Sequence, residues 1–278
     1  MKYIPQYSRQ ELIAKIKHWS PSQINILGCK FKWACRYLYK APSFRKMGQN
    51  LAIGIYLHDK AKQASVEGKD KAFNRSEMIQ YMLENIEESK TLSKEVYPEI
   101  VDMYLATYAK YDFNNENTEI PVAGAFPNMK LKCNGFVDHI HTRDDGSKVI
   151  LDLKIKGSIN KSGDKLLYTE SEYLQLGTYS YFANIRDTEL NILQINRRKK
   201  YGKVMFHKVP FHFRDKDYHK VIELVRLGLH EMFSGIYPPN RLFAYCNSFM
   251  CEYWNHCHET WGPKDLIIGP SKNDNGIV

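Results

Sequence analysis

The segment Asp144-Asp145-Gly146-Ser147, set between two long apolar runs, constrains this chain's fold more than any other stretch of its sequence. Acidic residues running into a glycine mark a tight turn, so Met129–His141 and Lys148–Lys156 are predicted to pair as an antiparallel hairpin. Side chains alternate faces along a strand. Asp152 and Lys154 therefore share one face, and Val149, Leu151, Leu153 and Ile155 point the other way, toward a core. A three-residue loop pairs Arg143 with Ser147 and sets Asp138 opposite Asp152. Directly opposed Cβ atoms lie about 5 Å apart, close enough for two carboxylates to share one divalent cation. A two-residue loop shifts the register by one and divides the carboxylates between faces.

Two carboxylates and a lysine among aliphatic residues are costly to bury unless something neutralises them. Mg²⁺ or Mn²⁺ accepts carboxylate and carbonyl oxygens, and a neighbouring lysine orients a phosphate or an attacking water. Taken alone, Asp152-Leu153-Lys154 reads as a salt bridge on a half-exposed strand. A second carboxylate on the preceding strand turns the balance toward a metal.

The first third of the chain reads as helical. Ser8-Arg9-Gln10-Glu11 is a capping-box pattern. A helix follows from Ser22 through Ile26 and Phe31, then others over Leu51–Ala61, Asn74–Glu87 and Leu92–Lys110. Strands are predicted over Ile120–Phe126, Met129–His141 and Lys148–Lys156, and a polar loop, Gly157–Asp164, leads into a helix over Ser171–Ala183. Strands Glu189–Asn196 and Lys203–Phe211 and a helix over Asp215–Phe233 complete the order, with an irregular tail from Gly235. This order predicts a mixed α/β (α+β) fold, a central mixed sheet flanked by helices. One domain is expected: N-terminal helices over 1–60, a helical insertion over 60–115, a core over 116–233 and a cysteine-bearing tail over 234–278.

The hydrophobic fraction of 43% and aromatic fraction of 13% are those of a folded globule. A formal charge of +9 suits a polyanionic partner. No run reaches membrane-spanning length and the start carries no signal-peptide pattern, so a cytoplasmic protein with no membrane partner is expected. Six cysteines in such a chain point to metal ligation rather than a disulfide framework.

Three of them, Cys246, Cys251 and Cys257, crowd one segment and suit a soft metal centre whose fourth ligand comes from elsewhere. Cys29 is the candidate. Cys35 lies on a different helical face and, with Cys133, is expected to stay outside. Zn²⁺, with help from His256 or His258, is the competing occupant. Gly54 and His58 share a helical face, as do Gln175 and Tyr179. Residues Arg197–Lys203 form a basic tip between two strands, as solvated turns also do.

In this order, Gly54-x-x-x-His58, Gly135-x-x-Asp138, Asp152-x-Lys154 and Gln175-x-x-x-Tyr179, bracketed by Cys29 and the cysteine triplet, resemble the RecB-like branch of the PD-(D/E)XK nuclease superfamily. The bracketing is that of iron–sulfur members such as AddB and the CRISPR-associated RecB-like exonucleases. The segment from Ser22 to Trp33 looks like that family's entry helix, and the Cys251–Cys257 tail is similar to phage-encoded versions. The resemblance implies a restriction-endonuclease-like core in which Asp138, Asp152, His58 and the Leu153 carbonyl bind Mg²⁺ or Mn²⁺. It implies that Lys154 acts on the attacking water and that Gln175 and Tyr179 face the site. It also implies that Cys29, Cys246, Cys251 and Cys257 hold a [4Fe–4S] cluster as a structural clamp. The sequence departs from the pattern in placing four residues, not two, between the first two cysteines of the triplet, which keeps Zn²⁺ open.

The implied activity is metal-dependent DNA exonuclease, on single strands or single-stranded ends, in recombination, repair or phage replication. The alternatives are a catalytically silent nucleic-acid-binding protein and a zinc-bound structural protein of the same fold. The protein partner, if there is one, is not readable from sequence.

Overall fold

The structure is a computed structural model that describes residues 7–43, 48–87, 92–157, 168–195, 204–240 and 251–261. The basic tip Arg197–Lys203, Cys246 and the polar loop beyond Gly157 lie outside the described residues. The chain divides into a larger unit (18–21 and 47–225) and a smaller one (1–17, 22–46 and 226–278).

The larger unit is built on one five-stranded sheet in the order β1 (Thr118–Gly124), β2 (Cys133–Thr142), β3 (Lys148–Lys156), β4 (Asp187–Ile195) and β5 (Val204–His212). Neighbours are antiparallel except β3 and β4, which are parallel. The turn joining β2 to β3 closes as a three-residue loop: Arg143 N–H donates to Ser147 O at 2.8 Å and Gly146 N–H donates to Arg143 O at 2.9 Å. Gly146 has φ +81°, a left-handed conformation that glycine alone adopts cheaply. The loop sets the register His139↔Leu151, Ile140↔Ile150, His141↔Val149 and Thr142↔Lys148.

A central strand in a parallel pairing is covered on both faces. Under one face of β3, Val149, Leu151 and Leu153 are buried, with Ile155 packed beside them. They meet α4 (Gln49–Glu67) through Ile53, Leu57, Ala61 and Ala64. The same core takes in α6 (Arg75–Asn85) through Met78 and Met82, and α7 (Tyr97–Thr107) through Ile100 and Tyr104. The short α5 (Lys69–Ala72) follows α4. The crossover from β3 to β4 carries α8 (Glu170–Ala183), opened by a capping box of Thr169 and Glu172. Gly177 of α8 lies against Phe213 and Val221, where an added Cβ would sit 2.8 Å and 2.5 Å from them.

In the smaller unit, α1 (Arg9–Lys15) has the predicted capping box of Ser8 and Glu11. The helix expected from Ser22 through Phe31 is instead two, α2 (Pro21–Ile26) and α3 (Lys30–Tyr37), with Cys29 as the N-cap of α3. Gly28 separates them, and Leu27 N–H closes a tight turn onto Ile24 O at 3.0 Å. Helix α9 (Asp215–Met232) begins in the larger unit and its last turns belong to the smaller. The tail is not wholly irregular: α10 spans Trp254–Trp261. Among the described residues, no helix is long and apolar enough to cross a membrane.

Candidate active site

The β2–β3 ladder stops at His139↔Leu151, and one step further in that register Asp138 stands opposite Asp152. At that step the Asp138 side chain replaces a backbone partner: its Oδ2 accepts the Leu153 N–H at 3.2 Å. The strands part where the carboxylates lie, and β3 stays paired to β4 as far as Lys156↔Gln194. Parting leaves the Leu153 carbonyl free of β2, and His58 Nε2 lies 3.1 Å from its oxygen. His58 Nδ1 is 3.6 Å from Asp138 Oδ2. Gly54 lies one turn earlier on α4 and faces Ile155, which an added Cβ would meet at 3.4 Å, an ordinary packing distance.

Asp152 is 2% exposed and is held from two sides. Lys154 Nζ donates to its Oδ1 at 2.9 Å and lies 2.7 Å from its Oδ2. Gln175 Nε2 donates to Oδ1 at 3.2 Å and also reaches the Tyr179 hydroxyl at 3.4 Å. Tyr179 in turn explains Gly135, because a Cβ at Gly135 would fall 2.9 Å from the Tyr179 ring. The two loosely spaced pairs, Gly135/Asp138 and Gln175/Tyr179, are thus one packing arrangement. Beyond it, Lys156 pairs with the largely buried Glu172 at 2.8 Å.

Burial, with Asp138 nearby, pushes the Asp152 carboxyl up to about 6 against the pull of Lys154. Burial works against the Lys154 ammonium, but Asp152 and Asp138 outweigh it and hold the amine above its usual range. The pair is an ion pair at neutral pH, with its negative member close to titrating.

Sequence reading missed Glu119. Ligand atoms of His58, Glu119 and Asp138 all lie within 4.8 Å of one another. Glu119 falls between the pairs Thr118↔His139 and Ile120↔Val137, opposite Asp138 in the β1–β2 register. It has φ +54°, rare for a side-chain-bearing residue. Burial and Asp138 raise its carboxyl, partly offset by His58 and Lys62. Only the β1–β2 register reveals it, and the long connection between those strands hides that register from sequence.

These residues fit a hard divalent ion. Carboxylates, a carbonyl oxygen and one imidazole are the donors Mg²⁺ and Mn²⁺ accept, the imidazole favouring Mn²⁺. His58 Nε2 meets Leu153 O at 3.1 Å as a hydrogen bond, which a cation held by the two atoms would replace.

The smaller unit holds a second group. Cys29, Cys35 and Cys257 are buried together with Phe31 and Tyr253, and Cys251 packs against them. Cys35, expected outside the centre, shares this buried cluster, with Cys29 at the N-cap of α3 and Cys35 in its last turn. Burial, then Cys257, Cys251 and Cys29, push the Cys35 thiol up to about 12. Cys133 lies in β2 of the larger unit, outside this group. No disulfide joins the described cysteines.

A mixed sheet whose central hairpin parts over facing carboxylates, followed by a lysine two residues on, defines a nuclease-type α/β core. The family model of the PD-(D/E)XK nuclease superfamily matches residues 18–258, and the chain belongs to that superfamily. Among solved structures, a presumptive exonuclease from Eubacterium rectale is 15% identical with a TM-score of 0.51, over 88% of this chain and 92% of that one. An alkaline exonuclease from Laribacter hongkongensis is 12% identical with a TM-score of 0.29, over 62% and 86% of the two chains. A phage-related exonuclease from Haemophilus somnus is 11% identical with a TM-score of 0.31, over 78% and 93%. No curated protein matches the chain.

Proposed function

We propose that this protein is a DNA exonuclease of the RecB-like branch, dependent on Mg²⁺ or Mn²⁺. The observation that carries the reading is the meeting of His58, Asp138, Glu119 and the Leu153 carbonyl beside the Asp152–Lys154 pair. Asp138, Asp152, Glu119, His58 and the Leu153 oxygen would hold the ion. When bound, it supplies charge stabilisation at phosphorus and a lowered pKa for a water.

The chain's own groups do the rest. The Lys154 side chain is 28% exposed, and Asp152 fixes the position of its ammonium. That ammonium donates to the scissile phosphate or the attacking water, where negative charge develops. Gln175 donates to Asp152 Oδ1 and Lys154 reaches both oxygens, which fixes the carboxylate's orientation. Asp138 is oriented by the Leu153 N–H, so neither carboxylate must reorganise when substrate arrives. The formal charge of +9 favours approach of a polyanion.

In the smaller unit the thiols would hold a [4Fe–4S] cluster, with Zn²⁺ as the alternative, as a structural clamp. A cytoplasmic role in recombination, repair or phage replication is consistent with this chemistry. Digestion of end-labelled linear DNA and covalently closed circles with Mg²⁺, Mn²⁺ or EDTA tests the assignment. Linear DNA should shorten from its ends only with metal, and circles should survive. Cleaved circles would overturn the exonuclease reading, and binding without cleavage in either metal would make the chain a silent binder.

A further inference from the structure

Phe136 is 57% exposed, although it lies within β2 next to the fully buried Val137. Side chains alternate along a strand, so Phe136 shares a face of β2 with Asp138, about 7 Å away along the chain. The β1–β2 register extends that face: Pro121 is opposite Phe136, and Glu119 falls opposite Asp138. Pro121 is exposed as well. One rung of this arm carries two carboxylates, and the next rung outward carries two apolar groups. The ladder to β3 begins only at His139, and among the described residues no other ring contacts Phe136.

A second apolar strip reaches the site along α4. Leu51, Ile55 and His58 fall at helical spacing on one side of that helix. Leu51 is 59% exposed and Ile55 43%, and His58 is the residue that meets the Leu153 oxygen and Asp138. Lys62 follows one turn later, exposed, and pulls on the Glu119 carboxyl. A single exposed apolar side chain is ordinary. Here three of them lie on the two elements that supply His58 and Asp138.

The reaction itself says what covers them. A phosphate held at these donors is joined through a sugar to a base, which comes to rest beside whatever borders the donors. Aromatic side chains take bases by their faces, whatever the sequence. Inside a duplex both faces are already covered by neighbouring base pairs, so a strand that offers them is unpaired.

We propose that Phe136 stacks on a base of single-stranded DNA beside the scissile phosphate, with Pro121, Leu51 and Ile55 completing an apolar border for the unpaired strand. The proposal rests on the nuclease reading above and deepens it by naming the strandedness of the substrate and the side chain that selects it.

The test crosses enzyme variants with altered substrates. Cleavage is measured as kcat/KM in Mn²⁺ on an end-labelled single strand, on the same strand in a blunt duplex, and on single strands with one reduced abasic site at each terminal position in turn. Stacking of one base on an aromatic side chain is worth about 5- to 150-fold. The parental chain should prefer the single strand. Phe136→Ala should lower kcat/KM there by at least about fivefold, mostly through KM, and change the duplex far less. Phe136→Trp should restore the parental value, and Phe136→Leu, which keeps an apolar side chain without a ring, should not. One abasic position should cost the parental chain a similar factor and cost Phe136→Ala nothing further. A merely structural role would not single out one base of the substrate. A parental preference for duplex, equal loss on both substrates, additive losses from Phe136→Ala and the abasic site, or indifference to every abasic position overturns the proposal, while metal-dependent cleavage keeps the nuclease reading. Parental rates in Phe136→Ala with a changed sedimentation coefficient overturn it too, and assign the face to a second copy of the chain. A parental protein that cleaves no substrate removes the nuclease reading, and this base site with it.

Discussion

The hairpin of the larger unit and the thiol group of the smaller one both gather metal-binding side chains, but they neutralise them differently. At the hairpin each carboxylate has a donor built into the chain: Asp152 has Lys154 and Gln175, and Asp138 has the Leu153 N–H. In the thiol group the neighbours of Cys35 are other thiols, and the nearby cations are already engaged with Glu252. The first site can therefore fold before it binds an ion. On the proposed reading the second would depend on its metal for stability, because ligation there would be part of the folding free energy.

The largest expected effect follows from that contrast. Structural thiolate metal sites contribute on the order of 10 kcal/mol to folding. Calorimetric unfolding in EDTA alone should leave the main transition within a few degrees of its value in Mg²⁺ at low occupancy. Stripping the thiol-bound metal with acid and a strong chelator should abolish or greatly lower one transition. Equal sensitivity of all transitions to both treatments would erase the distinction between the two regions.

A smaller effect belongs to the Asp152–Lys154 pair. The Asp152 pKa is raised from 3.8 to about 6, so its ionised form is costlier folded than unfolded. Stability from this group is greatest below about pH 4, declines as pH rises to about 6, and stays reduced above it. Replacing a buried ion pair by neutral residues of similar size is often stabilising by about 1–4 kcal/mol. In EDTA, Asp152→Asn with Lys154→Met should match or exceed the parental stability at pH 7. That advantage should shrink toward pH 4 in urea titrations. An advantage that grows on acidification would show that the pair is held for stability.

The smallest effect concerns the packing that joins the two loose motifs. Gly135→Ala would drive a Cβ to 2.9 Å from the Tyr179 ring. Overpacking of this kind costs about 1–3 kcal/mol. Tyr179→Ala should cancel much of that cost in a double-mutant cycle read by urea unfolding. Strict additivity would mean that the two residues do not restrain each other.

These contrasts also explain what could be read from the sequence. The hairpin was legible because its turn is local, while its register, open in the sequence between a two- and a three-residue loop, is set by the three-residue loop of the structure. The boundaries Lys148–Lys156 for β3 and the mixed α/β class follow from that and from plain alternation. Glu119 was not legible, since its partner register with Asp138 is set across an eight-residue connection with no comparable turn. That Cys35 shares a buried cluster with Cys29, Cys251 and Cys257 was not legible, since the segments that carry them are far apart in sequence. Helix α10 escaped because Trp254–Trp261 is short and rich in aromatic and histidine residues. Cysteines from opposite ends of the chain meet through tertiary structure, which local patterns do not encode.

The central claim is that Lys154 acts on the reacting phosphate or water while the metal ligands lie elsewhere. It is tested most directly by Lys154→Ala, assayed on end-labelled linear DNA in Mn²⁺ and titrated calorimetrically with Mn²⁺. Positioned groups that donate in the transition state commonly contribute about 10²–10⁴-fold to rate. Cleavage should fall by at least about 100-fold, by that measure, with Mn²⁺ binding within a few-fold of the parental protein. Cleavage at the parental rate would contradict the account and leave Asp152-Leu153-Lys154 as an ordinary strand ion pair.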